Sequence, residues 1–262
     1  MELSDSEWAL ISNLIPKAKS GPGRRGRPVC SFRCVVNGIL WILRTGAPWR
    51  ALPAQYPSYQ TCHRRFQEWT RFGVWRRLMA ALYGRLPRQA ERNKEAFIDG
   101  TYAQAKRGGA LVGKSRAGQS TKIMAVADAE GMPIAVAIEE GSRHDVVLVD
   151  HVLDQAVTKH LSPILIGDRA FDSKPLAQRL GHERGVRLIA PKRRNKGVET
   201  ARQDGRHMRR YRRRWKVECL FAFLKQFRRI VVRWESKAEN YLAFLYLGCA
   251  VILFRQLQLR AK

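Results

Sequence analysis

Apolar positions change rhythm once along the chain. Up to about residue 86 they recur at helical spacing, and after about residue 95 they gather into short apolar runs. In the first region, Ser4 or Asp5 caps a helix through Leu14 that Pro16 stops. The segment 20-SGPGRRGRP-28 reads as an exposed loop. A second helix runs from Ser31 to Arg44 and ends at Gly46. A third opens at Ser58, and Phe72-Gly73 separates it from a fourth through Leu82. The polar stretch 86-LPRQAERNKEA-96, with Pro87, marks the boundary. Beyond it, strands are predicted at 96-AFID-99, 121-TKIMAVAD-128, 133-PIAVAIEE-140, 164-ILIGD-168 and 186-VRLIAP-191, with a hairpin turn at Gly131. Helical stretches near 145–159 and 173–184 separate the later strands, as parallel crossovers require. Two longer helices close the chain, roughly 206–229 and 237–259. The fold class is therefore α/β, with an all-helical region over 1–86 and a mixed-sheet domain over 95–262.

Charge narrows the partners. The chain of 262 residues holds 49 Lys and Arg against 22 Asp and Glu, a net +27. The basic residues recur along its whole length, in runs such as 206-RHMRRYRRR-214, so nucleic acid is the expected partner and its binding should weaken with salt. A structural protein of a ribosome-like particle would be equally basic, so charge does not by itself make an enzyme. The start, MELSDSEWAL, is acidic and has no apolar run, and no signal peptide is expected. The run 241-YLAFLYLGCAVILF-254 falls short of the roughly 20 residues that span a bilayer and reads as a buried helix, not a membrane anchor. Five scattered cysteines suit a reducing cytoplasm.

Three acidic residues carry candidate chemistry. Asp99 ends the first strand in 97-FIDGTY-102, and Asp168 ends the fourth in 164-ILIGDRAFD-172. A carboxylate at the exit of an apolar strand is costly to leave unpaired, and a shared divalent cation satisfies it. A loop-capping Asp is the plainer alternative for either alone. Glu218 lies on a predicted helix with Tyr211, Arg214 and Lys225, all within about 60° of arc on one face. Val217, Leu220, Phe223, Leu224 and Phe227 fall on the opposite, core side. A solvated face is the bland reading, but it needs no lone Glu after a run of arginines. Arg214, one turn before Glu218, is placed to pair with it and steer its carboxylate, so that losing Arg214 would raise the metal concentration required. Lys225, roughly 10 Å further along the axis, suits a neighbouring phosphate.

The spacing Tyr211-x2-Arg214-x3-Glu218-x6-Lys225 resembles the signature around the catalytic Glu of DDE transposases from bacterial insertion sequences. The chain is more closely similar to the group named after insertion sequence five, through 38-GILWILRTGAPWRALP-53, 97-FIDGTY-102, 118-GQSTKIMAVADAEG-131, 142-SRHD-145, 166-IGDRAFDS-173 and 221-FAFLKQFRRI-230. The resemblance implies an RNase H-like catalytic domain, which the strand order independently fits. It implies that Asp99, Asp168 and Glu218 are the catalytic, metal-holding residues, with two Mg²⁺ or Mn²⁺ ions per site, and that Tyr211, Arg214 and Lys225 position the transposon end. The activity implied is DNA cleavage at transposon ends and transfer of the 3′-hydroxyl into target DNA, by at least a dimer in the bacterial cytoplasm, without a nucleotide cofactor. Nothing departs from the pattern at the acidic positions. A nuclease that cuts without joining, and a DNA-binding descendant without activity, are the alternatives.

Other motifs are weaker. Residues 108-GGALVGKS-115 match a P-loop string, but Gly118 and a strand follow where the motif needs a helix, so a basic loop near DNA is the better reading. Gly21, Gly23 and Gly26 match a dinucleotide string with no strand before it. Arg25 and Arg27, in Arg25-Gly26-Arg27-Pro28, are similar to an AT-hook core and suit the minor groove, or else form a plain basic linker. The segment 58-SYQTCHRRFQEW-69 is a candidate recognition helix, with Arg64 and Arg65 toward DNA and Phe66 and Trp69 toward the core. Cys30, Cys34, Cys62 and His63 have poor zinc spacing. His144 is a turn cap or an assistant near the scissile phosphate, and Trp41, Trp49 and Trp75 read as packing residues.

Overall fold

The computed structural model describes residues 2–16, 30–115, 118–192 and 205–259. Arg25, Arg27 and the glycines of the dinucleotide-like string lie outside the described residues.

The helical signals are read locally, and the first region follows them closely. Helix α1 (Asp5–Ile11) begins at Ser4, whose hydroxyl accepts from the Glu7 N–H while Glu7 accepts from the Ser4 N–H; a 3₁₀ turn at Ser12–Leu14 follows. Helix α2 (Phe32–Thr45) stops at Gly46, which has φ +70° and sits so close to Arg228 that a Cβ would lie 2.9 Å from its Cβ. Helix α3 (Tyr59–Arg71) is capped by Ser58, and Gly73, also left-handed, turns the chain into α4 (Val74–Gly84). A short α5 (Gln89–Arg92) leads to the sheet.

Seven strands form one sheet: β1 (Ala96–Ala105), β2 (Gly113–Ser115), β3 (Gly118–Asp128), β4 (Pro133–Glu140), β5 (Ile164–Ile166), β6 (Arg187–Ile189) and β7 (Val232–Arg233). β3 runs antiparallel to β1 along nearly its whole length and carries β2 and β4 on its other edge. On the free edge of β1 the pairing is parallel and broken. β5 reaches only Ala96 and Phe97, and β7 joins only at Gln104 and Ala105. β6 continues the parallel half beside β5. Between Phe97 and Gln104, therefore, no described strand covers that edge of β1.

Two expectations need correction here. Asp99 does not end its strand: β1 continues six residues further, to Ala105, because β3 pairs with it as far as Gln104. The apolar run stops at Ile98, but strand pairing does not depend on an apolar run. The second correction concerns the single helix expected over 206–229. It is divided into α8 (Gly205–Tyr211), a 3₁₀ turn at Arg212–Arg214, α9 (Trp215–Lys225) and α10 (Arg228–Val231). In that turn Arg213 reaches the buried Glu95 at 2.7 Å and Arg214 reaches Asp99 at 2.7 Å. These contacts across the fold outweigh the local helical preference of the segment. On α9, Val217, Leu220 and Leu224 are buried as expected, as is Phe227 just beyond it, but Phe223 is 46% exposed and Phe221 takes its place in the core.

Helix α6 (Asp145–Asp154) packs on β4 and β3, α7 (Lys174–Arg184) packs on β6, and α9 covers β1 and β3 on the sheet. The last helix, α11 (Ala238–Leu259), is long and apolar enough to cross a membrane by length and composition, yet it forms the centre of the core. It packs against α4, α3 and β4. Phe244 stacks on Phe66 at 4.4 Å, and Trp49 and Trp75 close around Phe66 at 5.6 and 5.7 Å. The helical region and the sheet thus share one continuous hydrophobic core. A polar tie reinforces the junction: the buried Asp128 carboxylate accepts from Tyr83 of α4 at 3.1 Å and from Arg92 of α5 at 3.2 Å, while it also accepts the N–H groups of Glu130 and Met132 in the β3–β4 turn. Gly131 in that turn has φ +85°.

Candidate active site

The gap in the sheet positions the carboxylates. Parallel strands that part company leave a crevice at their carboxyl ends, and β1 and β5 part just after Phe97 and Ile166. Asp99 lies two residues beyond that point on β1, and Asp168 two residues beyond it after β5. Asp168 is held by the Ala170 N–H at 2.7 Å, which caps a 3₁₀ turn at Arg169–Phe171. Gly167 makes that turn possible, since a Cβ there would lie 2.5 Å from the Phe171 ring. Asp99 accepts its neighbour Gly100's N–H at 2.9 Å.

Glu218 reaches this pair through an arginine. The Arg214 guanidinium, at the N-cap of α9, donates one nitrogen to Asp99 at 2.7 Å and the other to Glu218 in the first turn of that helix. Burial pushes the Asp99 carboxyl up from its ordinary range, the Gly100 hydrogen bond and Arg214 pull it down, and the negative charge of Asp168 pushes it up again, with a net rise. Burial disfavours the Arg214 charge, but Asp99 and Glu218 beside it more than compensate and hold its pKa above the usual arginine value. Among the described residues, no three Asp, Glu, His or Cys side chains are placed to share a metal ion. Asp99 and Glu218 are instead bridged by a monovalent cation, the guanidinium. The expected Arg214–Glu218 pair is present. The Arg214–Asp99 contact has no signal in the spacing of the sequence, because it depends on how α9 lies across β1.

The remaining candidates are distributed unequally. Tyr211 is half-buried, with its ring 5.9 Å from the Arg214 guanidinium carbon. Lys225, at the exposed end of α9, borders a small hollow with Thr101, Tyr102 and Val231. Arg64 and Arg65 stand apart from the carboxylates, in a depression shared with Arg71 and Phe72; Arg65 is held by Glu68 at 2.6 Å and lies over the Phe32 ring. Phe66 and Trp69 on the same helix are buried, as expected. The P-loop string ends in strand β2 with no helix at Lys114. Cys62 is buried and its thiol is pushed up to about 12 by burial, while Cys30 and Cys34 are exposed. His144 stands at the start of α6 but makes no capping hydrogen bond with its side chain. Sequence reasoning missed Lys122, which is only 3% exposed and donates to Asp145 at 2.8 Å. The continuous apolar run that follows it, 123-IMAVA-127, was the available signal, since it marks a strand buried on both faces with a lysine at its start.

A three-stranded antiparallel half joined to a parallel half, with acidic residues where the halves diverge, is the RNase H-like arrangement. The chain belongs to the family described as "Transposase DDE domain", which matches residues 90–253. Residues 3–79 match the family described as "Putative transposase of IS4/5 family". Among relatives, the insertion element IS402 uncharacterized 16.2 kDa protein of Burkholderia cepacia is 40% identical over 87 residues, covering 32% of this chain and 59% of that protein. A protein of the same organism, "Putative transposase for insertion sequence element IS402", is 30% identical over 151 residues, covering 55% of this chain and 67% of that one. The piggyBac transposase, solved by cryo-EM as a synaptic complex with hairpin DNA, is similar in fold with a TM-score of 0.54 at 10% identity, over 93% of this chain and 69% of that chain.

Proposed function

We propose that the chain is a DNA transposase whose catalytic residues are Asp99, Asp168 and Glu218. The observation that carries this reading is the meeting of Asp99, Asp168 and the Arg214–Glu218 pair at the uncovered edge of β1, in a chain of this family. The donors are all carboxylate oxygens, the set that hard divalent cations prefer. Asp99 is raised in pKa by burial and by Asp168, so a cation beside the two relieves a cost that the fold otherwise carries. Asp99, Asp168 and Glu218 would hold Mg²⁺ or Mn²⁺, which would supply activation of the attacking hydroxyl and neutralise charge building on the phosphate. Glu218 joins this set when Arg214 turns from it toward a DNA phosphate, a bidentate partner that suits a guanidinium.

The protein's own groups then fix the strand. Tyr211, Arg214 and Lys225 line the approach along α8 and α9 and hold the transposon end. Arg64 and Arg65 on α3, with Arg25 and Arg27, read or clamp the terminal repeat. Because the helical region shares its core with the sheet, its role in recognition is best tested by substitutions in the whole chain, not by isolated fragments. Each transesterification exchanges one phosphodiester for another, so no nucleotide is consumed. Cutting both ends together calls for two copies, acting on the chromosome in the bacterial cytoplasm.

The test uses a duplex built from the inverted repeats bordering the coding region. Cleavage at the repeat boundary should require Mg²⁺ or Mn²⁺ and stop with chelator. Equal cleavage in chelator would overturn the metal-dependent reading.

A further inference from the structure

Three positions on one face of β1 each meet a residue at the start of α9. Side chains alternate along a strand, so Asp99, Phe97 and Glu95, the residue just before β1, point to the same side. Arg213 donates to Glu95 at 2.7 Å, and Arg214 donates to Asp99 at 2.7 Å. Lys216 stands 5.9 Å from the Phe97 ring centre and donates to the Ala129 carbonyl in the β3–β4 turn. Asp99 and Arg214 belong to the candidate site. Glu95 does not, yet it is 5% exposed, and one of its carboxylate oxygens is buried without a hydrogen-bond partner among the described residues.

Stability does not account for this carboxylate. Its arginine is 48% exposed, so solvent screens the attraction, while burial strips the carboxylate of its hydration. What the pair supplies is position. It ties the 3₁₀ turn at Arg212–Arg214, which leads into α9 and Glu218, to the beginning of β1. The proposed function makes such a tie necessary. There Arg214 turns from Asp99 and Glu218 toward a DNA phosphate, and so releases α9 from β1 just when Glu218 must stand beside Asp99 and Asp168. Of the polar contacts described above at this end of α9, Arg213–Glu95 and Lys216–Ala129 then remain, and only the first joins it to the β1 segment.

We propose that Glu95 is a positioning residue: through Arg213 it keeps the start of α9, and with it the Glu218 carboxylate, seated on β1 while Arg214 engages DNA. This rests on the transposase reading of the carboxylates and deepens it by one residue that acts through another. It also separates Arg213 from the rest of the run 206-RHMRRYRRR-214, since an arginine held by Glu95 is not a phosphate contact.

The experiment compares wild type, Glu95→Gln, Arg213→Gln and the double variant, all in the full chain, on the terminal-repeat duplex with its flank. Cleavage is followed across Mn²⁺, binding is read by fluorescence anisotropy across salt, and hydrogen exchange is measured on the DNA-bound protein. Glu95→Gln keeps the side chain's size and leaves Arg213 free to hydrate, so the melting temperature should hold. Its kcat should fall, and its Mn²⁺ midpoint rise, by about tenfold each, the scale for losing a group that orients a metal-holding side chain. Its DNA affinity should not fall, and its salt dependence should steepen by about one phosphate contact as Arg213 is released. Backbone amides 212–219 should exchange faster than in wild type, with the core unchanged. Arg213→Gln should repeat the kinetic defect with no change in salt dependence, and the double variant should be no slower than the worse single one. Where Arg213→Gln fails to fold because it strands the buried carboxylate, Glu95→Gln and the double variant decide. Wild-type kcat, metal midpoint and exchange in Glu95→Gln overturn the proposal, as does an activity loss that only follows the folded fraction, or single defects that multiply in the double variant. Wild-type protein that binds the duplex but never cuts it contradicts the transposase reading instead, and the exchange at 212–219 still decides whether Glu95 seats α9.

Discussion

Asp99→Asn, Asp168→Asn and Glu218→Gln should each reduce DNA cleavage by about three orders of magnitude, the upper scale for losing one preorganised group that stabilises transition-state charge. DNA affinity should change by less than about threefold, because the chain carries a net +27 and the three residues are not its phosphate contacts. Stability separates lost chemistry from lost folding. Burial and Asp168 disfavour the Asp99 charge, so its carboxyl titrates above its ordinary value. The folded state then binds the proton more tightly than the unfolded chain, and this group's contribution falls as pH rises through the window between the ordinary and raised values. At neutral pH the ionised Asp99 is a cost, offset in part by Arg214. Asp99→Asn should therefore leave the melting temperature unchanged or higher while activity collapses. A variant that loses activity only in proportion to its folded fraction would show that the residue is structural.

Arg214→Gln should have the second largest effect, and the structure reverses its expected sign. From the helix alone, Arg214 steers Glu218 and its loss raises the metal concentration required. In the fold, the same guanidinium also holds Asp99 at 2.7 Å, so it occupies the position of the cation it was expected to assist. Two charges about 4 Å apart interact by about 4 kcal/mol at an effective dielectric constant of 20, and partial exposure of this site leaves a fraction of that. Free Arg214→Gln protein should bind Mn²⁺ about tenfold more tightly than wild type, equivalent to about 1.4 kcal/mol, while its affinity for the transposon end falls. Adding that DNA to wild type should narrow the difference, because phosphate draws the guanidinium from the carboxylates. Calorimetric titration with Mn²⁺, with and without DNA, reads both effects. Weaker metal binding by the variant in the absence of DNA would restore the steering role.

The contrast between these residues shows which features are legible in a sequence. Ser4, Gly46, Ser58 and Gly73 act on their own backbone or a residue within a turn of it, and each bounds its helix where the sequence places it. Part of the sheet is legible because the β3–β4 hairpin and two helical crossovers to β5 and β6 leave few connections, whereas the short β2 and β7 carry no apolar run of their own. The carboxylates Asp99 and Asp168 are legible because acidic residues at the edge of apolar runs are rare and costly. Features set by contacts between distant segments are not. The extent of β1 depends on β3, the break at Arg212–Arg214 accompanies pairs with Glu95 and Asp99, and the exposure of Phe223 depends on how α9 rolls on the sheet. The Lys122–Asp145 pair joins residues on β3 and α6 that no spacing rule connects.

Joining as well as cutting separates a transposase from a nuclease, and a single assay distinguishes the two. Purified full-length protein is given a pre-cut terminal-repeat duplex with a labelled 3′-hydroxyl end and a supercoiled plasmid, in Mg²⁺. Label should become covalently attached to plasmid DNA, and should be absent with chelator and absent for Glu218→Gln. Metal-dependent nicking of the plasmid with no label transferred would contradict it and leave a nuclease in place of a transposase.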